Sequence, residues 1–170
     1  MIFKKRPDRA LLRREVARII YDLKHLHRRV VTYIARLERI ISHYEGILKY
    51  ESDQSRKNNY LTTINIYKAA LRRLKAVDVI LEYLTTKIET LSLLELGGRE
   101  VALIKEVLPD VRKLVEGLPD ISLIVEDLLE RSSDLVSIYP LSREVLVKAS
   151  SDAKRILDEA RAVAEAKNNS

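Results

Sequence analysis

The chain has 170 residues, of which 46% are hydrophobic, only 5% aromatic and 33% charged, with four glycines, four prolines and no cysteine or tryptophan. That length makes one domain or at most two small ones. So little Gly and Pro argues against the many turns of an all-β fold and for long helices. The lack of Cys excludes a disulfide framework, a Cys-ligated zinc and a thiol nucleophile. The net charge of +6 hides an asymmetry. Residues 1–75 hold 19 Lys and Arg against 7 Asp and Glu, whereas residues 76–170 hold 12 against 18. A basic half calls for an anionic partner, nucleic acid or membrane, and the acidic half is expected to cover it part of the time.

Met1-Ile2-Phe3 is apolar, but Lys4-Lys5-Arg6-Pro7 follows at once. No apolar run of signal-peptide or membrane-spanning length comes after, so the expectation is a soluble or peripheral intracellular protein.

The first long segment runs from about 8 to 50. Its apolar positions are Leu12, Val16, Ile19, Leu23, Leu26, Val30, Tyr33, Leu37, Ile40, Tyr44 and Ile47, alternating four and three apart. That spacing predicts a helix with a heptad seam over about five heptads. A flanking line of Ile20, Ile34, Ile41 and Leu48 widens the stripe, so more than one neighbour is expected. Residues 51–59 are wholly polar and read as the tip of a helical hairpin.

A second long helix is expected over about 60–96, with Tyr60, Ile64, Tyr67, Leu71, Leu74, Val77, Leu81, Leu84, Ile88 and Leu91 as its seam. The repeated three-residue step from Leu71 through Leu74 to Val77 shifts the stripe toward a new neighbour. Gly97-Gly98 is expected to stop this helix. Residues 99–116 form a shorter helix in which Pro109 predicts a kink or break. Gly117-Leu-Pro119-Asp120 stops and restarts the chain, with Asp120 as the expected N-cap of a helix over about 121–136. Ser132-Ser133-Asp134 reads as a loop or helix-end cluster. Tyr139-Pro140-Leu-Ser142 breaks the chain again, and Ser142 can cap a last helix over about 143–166. Its inner side carries small residues that permit close approach to another helix, and residues 167–170 are expected to fray.

Catalytic chemistry is hard to find. Of the three histidines, His25 and His27 are two apart and so lie on different helix faces, and neither they nor His43 sits at metal-ligand spacing. There is no phosphate-binding glycine loop and no nucleophile–base arrangement. The reading is a non-enzyme with no cofactor and no metal. The positive signal is the basic first helix. Arg9, Arg13, Arg14, Arg18, Lys24, Arg28, Arg29, Arg36 and Arg39 are opposed only by Glu15, Asp22 and Glu38. An ordinary solvated face is the bland alternative. The one-sided sign, together with the apolar Met1, Ile2 and Phe3 before Lys4, Lys5 and Arg6, suits an anionic membrane surface better than a DNA groove.

The order of parts also resembles the ESCRT-III fold. Tyr67-Lys-Ala-Ala-Leu-Arg-Arg-Leu-Lys75, Lys87-Ile-Glu-Thr-Leu91 and Glu95-Leu-Gly97 are similar to the second helix of the archaeal ESCRT-III-like cell-division proteins of the CdvB type. Val111-Arg112, Leu118-Pro119-Asp-Ile-Ser122 and the closing run from Ala153 to Glu165 are similar too. The resemblance implies an all-α protein: a long antiparallel hairpin (about 8–50 and 60–96), two shorter helices and a returning C-terminal helix. It implies a core over 1–138 and a linker with a regulatory helix over 139–170. It implies a subunit that polymerises on anionic membranes, with paralogues, and constricts or severs them in cell division or vesicle release, at the inner face of the cell membrane. The membrane contact would be Met1 to Arg6 with Arg9, Arg13, Arg14, Arg18, Arg28 and Arg29. The last helix would dock in a closed monomer through Ala149, Ala153, Ile156, Leu157 and Ala160. The glycines and prolines between helices, Gly97, Gly98, Gly117, Pro119 and Pro140, are the expected hinges between closed and open states. An AAA+ ATPase remodels such polymers. No proline follows Pro140, so contact with that ATPase is expected to be indirect, as for a short paralogue. The alternatives are a basic helical nucleic-acid-binding or nucleoid protein and a passive coiled-coil adaptor.

Overall fold

The computed structural model describes residues 8–93 and 96–168, which form five helices: α1 (Arg9–Tyr50), α2 (Gln54–Ser92), α3 (Gly98–Leu114), α4 (Pro119–Ile138) and α5 (Arg143–Asn168). The fold is all-α, a long α1–α2 hairpin followed by three shorter helices. The calls on Met1 to Arg6 lie outside the described residues, as do those on Leu94, Glu95, Asn169 and Ser170.

Helix α1 starts where Asp8 caps it, its carboxylate accepting from the Ala10 N–H at 2.9 Å. It then runs 42 residues without interruption, about 60 Å at a rise of 1.5 Å per residue. Its seam is buried at Val16, Ile19, Leu23, Leu26, Val30 and Leu37, while Tyr33 and Ile40 are half-buried and Ile41 of the flanking line is buried instead. The hairpin tip is three residues long rather than nine. Asp53 accepts from the Ser55 N–H at 3.0 Å and caps α2 there. The polar stretch that follows holds neither Gly nor Pro, so it continues as helix with its side chains mostly in water. Three ion pairs follow the antiparallel register of the buried seam: Lys24–Glu89 at 3.1 Å, Lys75–Glu38 at 3.8 Å and Lys68–Glu45 at 3.0 Å. His27 adds a half-buried contact to Asp78 at 2.6 Å.

Helix α2 changes character along its length. Near the tip only one side is covered. From Leu74 to Ile88 it buries Leu74, Val77, Val79, Ile80, Leu81, Leu84 and Ile88. Three consecutive buried residues cannot lie on one helical stripe, so α2 is enclosed there by several partners. These are α1, α3 and α5. The phase shift at Val77 marks the place where they join.

Helix α2 ends at Ser92, before the glycine pair, and Gly97 serves instead as the N-cap of α3. The organising residue is Glu100, which is 1% exposed. It accepts from the Gly97 N–H at 3.0 Å and from the Ser92 hydroxyl at 3.4 Å, tying the end of α2 to the start of α3. Helix α3 passes through Pro109 unbroken. Val107, Leu108 and Val111 are fully buried on either side of it, and that packing holds the helix across the missing N–H. Val101 to Ile104 are all buried, since α3 touches each of the other four helices.

Gly117 has φ +84°, the left-handed conformation that turns the chain between α3 and α4. The N-cap of α4 is Leu118 rather than Asp120. Pro119 takes the first helical position, where its missing N–H costs nothing, and Asp120 lies in the first turn. Ser132 to Asp134 lie inside α4, and Ser132 is fully buried. Its small side chain suits a core position on a closely packed helix. Helix α4 runs back along α1, and the Tyr139 hydroxyl donates to the Asp8 carbonyl at 3.4 Å. Ser142 caps α5 by accepting from the Val145 N–H at 3.3 Å, and α5 continues to Asn168. Ala153, Ile156 and Ala160 join the same core cluster as the hairpin seam.

Candidate functional site

At 100° per residue, the residues of α1 fall into three longitudinal strips around its buried seam. One flank faces α2: Lys24, His27, Glu38 and Glu45 on it make the cross-hairpin contacts. Arg9 and Arg13 share this flank. The other flank faces α4, where Asp22 accepts from Arg131 at 2.5 Å and Arg131 also pairs with Asp127 at 3.0 Å. Between the flanks lies the outer strip. It carries Arg14, Arg18, Tyr21, His25, Arg28, Thr32, Arg36 and Arg39, all exposed, with Arg29 at its α4 edge. No carboxylate of α1 lies on this strip. Glu15, at its margin, pairs with Arg18 at 3.4 Å. Arg36 sits 5.7 Å from the Tyr33 ring centroid. Arg14 to Arg39 cover about 38 Å along the helix.

The twelve expected membrane-contact residues therefore separate. Arg14, Arg18 and Arg28 share the outer strip, and Arg29 borders it. Arg9 and Arg13 are exposed but turn toward the hairpin partner. Met1 to Arg6 are outside the described residues. Arg36 and Arg39, which also belong to the strip, carry charge of the same sign in the sequence; the placement of α4 leaves both exposed and brings its first turn beside Arg36.

The acidic half leaves this strip exposed, and the first turn of α4 borders it at His25, Arg28, Thr32 and Arg36. Helix α5 touches α2 and α3 and not α1. Its apolar side decides this: Ala149, Ala153, Ile156 and Ala160 are buried in the groove between α2 and α3, and Leu157 is half-buried beside them. Among the described residues of the acidic half, Asp120 and Asp127 of α4 line the clefts beside the strip. Of the expected hinges, Gly97 is extended at φ −160°. A Cβ at Gly98 would collide with the Leu141 side chain, so this glycine admits the 139–142 connector against α3. Pro119 opens α4, and Pro140 lies in the connector.

Among the described residues no group of His, Asp and Glu comes together as a metal site, and no helix is long and apolar enough to cross a membrane. The fold and this surface define an all-α protein on a long N-terminal helical hairpin with one bare cationic face. Compared with protein-family models, curated proteins and solved structures, the chain has no match.

Proposed function

We propose that this protein is an ESCRT-III-like subunit that binds anionic membranes along the outer strip of α1, self-assembles there and remodels the bilayer. The observation that carries the reading is the exposed strip itself: a cationic line about 38 Å long on an unbroken helix. Each Lys or Arg brought to an anionic leaflet contributes about 1 kcal/mol, so several acting together bind well without any pocket. The assembly part of the reading is supported by the hairpin arm near the tip, where Leu61 and Ile66 are 44% and 64% exposed. The helix order and the packing of α5 on the hairpin support the likeness to a closed ESCRT-III monomer. On this reading the protein works at the inner face of the cell membrane, in archaeal division or vesicle release. It co-polymerises with paralogues that bring the AAA+ ATPase.

Co-sedimentation with anionic and neutral vesicles, followed by electron microscopy of the pellet, tests this. The expected result is salt-sensitive binding to anionic vesicles only, with polymers in the pellet. Replacing Arg14, Arg18, Arg28 and Arg39 with Glu should abolish it. Binding unaltered by that change, or duplex DNA bound tightly with a steep salt slope while vesicles are ignored, would overturn the proposal.

A further inference from the structure

Where α4 begins, its first turn stands against α1 and closes a cleft of about 320 Å³ lined by His25, Arg28, Arg29, Thr32, Arg36 and Asp120. Among the described residues, Arg28, Arg29 and Arg36 form no ion pair. Three arginines therefore line one concave space, and the carboxylate that lines it with them is Asp120. The neighbouring carboxylates Asp22 and Asp127 are already held by Arg131, at 2.5 and 3.0 Å. A concave wall of low dielectric strengthens the field of such a cluster relative to the open strip. Arginine forks match the oxygens of a phosphate monoester, which offers more charge and more acceptors than a diester. Arg29 and Arg36 lie two helical turns apart, about 10 Å, so one phosphate group does not fill the row.

We infer that the α1–α4 cleft is a specific site for an anion bearing two or more phosphate-monoester groups, held by Arg28, Arg29 and Arg36 with His25 at its edge. The anion can be a phosphorylated lipid headgroup or a free phosphate ester in solution. Asp120 is the internal competitor: it repels the anion and sets the affinity below what the arginines alone would give. For the lipid-borne form the inference rests on the membrane reading above. For the soluble form it does not.

The test uses the full chain and vesicles matched for total charge, one set with phosphatidylserine and one with phosphatidylinositol bisphosphate. The expected result is at least about tenfold tighter binding to the second set, equivalent to one charge-assisted hydrogen bond. The double variant Arg29→Gln, Arg36→Gln should abolish this preference. The control Arg14→Gln, Arg18→Gln removes the same charge from the open strip and should weaken both bindings together, leaving the ratio intact. Asp120→Asn should raise affinity for the bisphosphate about threefold or more through the loss of repulsion. Calorimetry with soluble inositol trisphosphate separates the sources. Binding that depends on Arg29 and Arg36 supports a site open to free esters, and a vesicle preference without it supports a headgroup site. Should phosphatidylserine vesicles not bind while the trisphosphate does, the cleft stands and the membrane reading falls. Equal binding to both vesicle sets with no trisphosphate binding, or a preference that survives the Arg29/Arg36 change, overturns the inference.

Discussion

The two ends of the hairpin are built differently although one pair of helices makes both. At the body end α2 is enclosed, and Leu74, Val77, Leu81 and Leu84 are fully buried. The short helices stop near one level: α4 begins beside Arg36, and the Glu116 carbonyl just past α3 accepts from Arg73 at 3.2 Å. Beyond it α1 and α2 continue as a two-helix arm, about 20 Å long. There Ile41 and Ile64 are still buried, but the rest of the seam is half-buried and rich in tyrosine, with Tyr44 about 6 Å from both Tyr60 and Tyr67. Continuous helix thus does not mean uniform stability. The body is held by burial on several sides, the arm by one seam and exposed ion pairs, so the arm is the part that opens first.

The largest test of this contrast is in the body. Ile104→Ala, at a fully buried position, should cost about 2–5 kcal/mol in denaturant unfolding. Leu48→Ala, half-buried in the arm, should cost clearly less, and equal losses would break the comparison. Tyr44→Ala removes both ring contacts and should cost about 1–2 kcal/mol. That loss should appear as faster amide exchange in the arm, with the body amides unchanged. Gly117→Ala should destabilise the body by about 1 kcal/mol. Nothing stands near a Cβ at this position, so the cost is that of the left-handed backbone alone, and arm exchange should not change. The smallest effect belongs to Lys68 and Glu45, both about half exposed. A double-mutant cycle should give a coupling below about 1 kcal/mol, vanishing in molar salt.

Much of this architecture is legible in the residues. The four-three alternation from Val16 to Leu37 gives α1 and its buried side, and the phase shift at Val77 gives the place where α2 changes partners. Ser142 is readable as a cap because a hydroxyl just before a helix has few other uses. Asp53 was equally capable of capping, but the polar run after it carries no periodic signal, so the tip looks longer than it is. Glu100 was invisible: one carboxylate in a charged chain shows its role only when the end of α2 is brought to it. The bare strip was legible as charge but not as a surface. Its borders depend on where α4 and α5 settle, and a wide apolar stripe on two long helices leaves several places open to them. The small residues of α5 pointed to close packing without saying against what. The cleft at Arg29 and Arg36 arises from the meeting of α1 with a turn more than eighty residues away, which no local pattern encodes.

Helix α1 has no proline or break along its 42 residues, so the charges on its outer strip move as one stiff line. A straight line touches a sphere near a single point, but it touches a cylinder along its whole length when it lies parallel to the axis. On the membrane reading proposed above, tubes would align the protein where vesicles of equal radius would not, and the strip would act as a compass as well as an anchor.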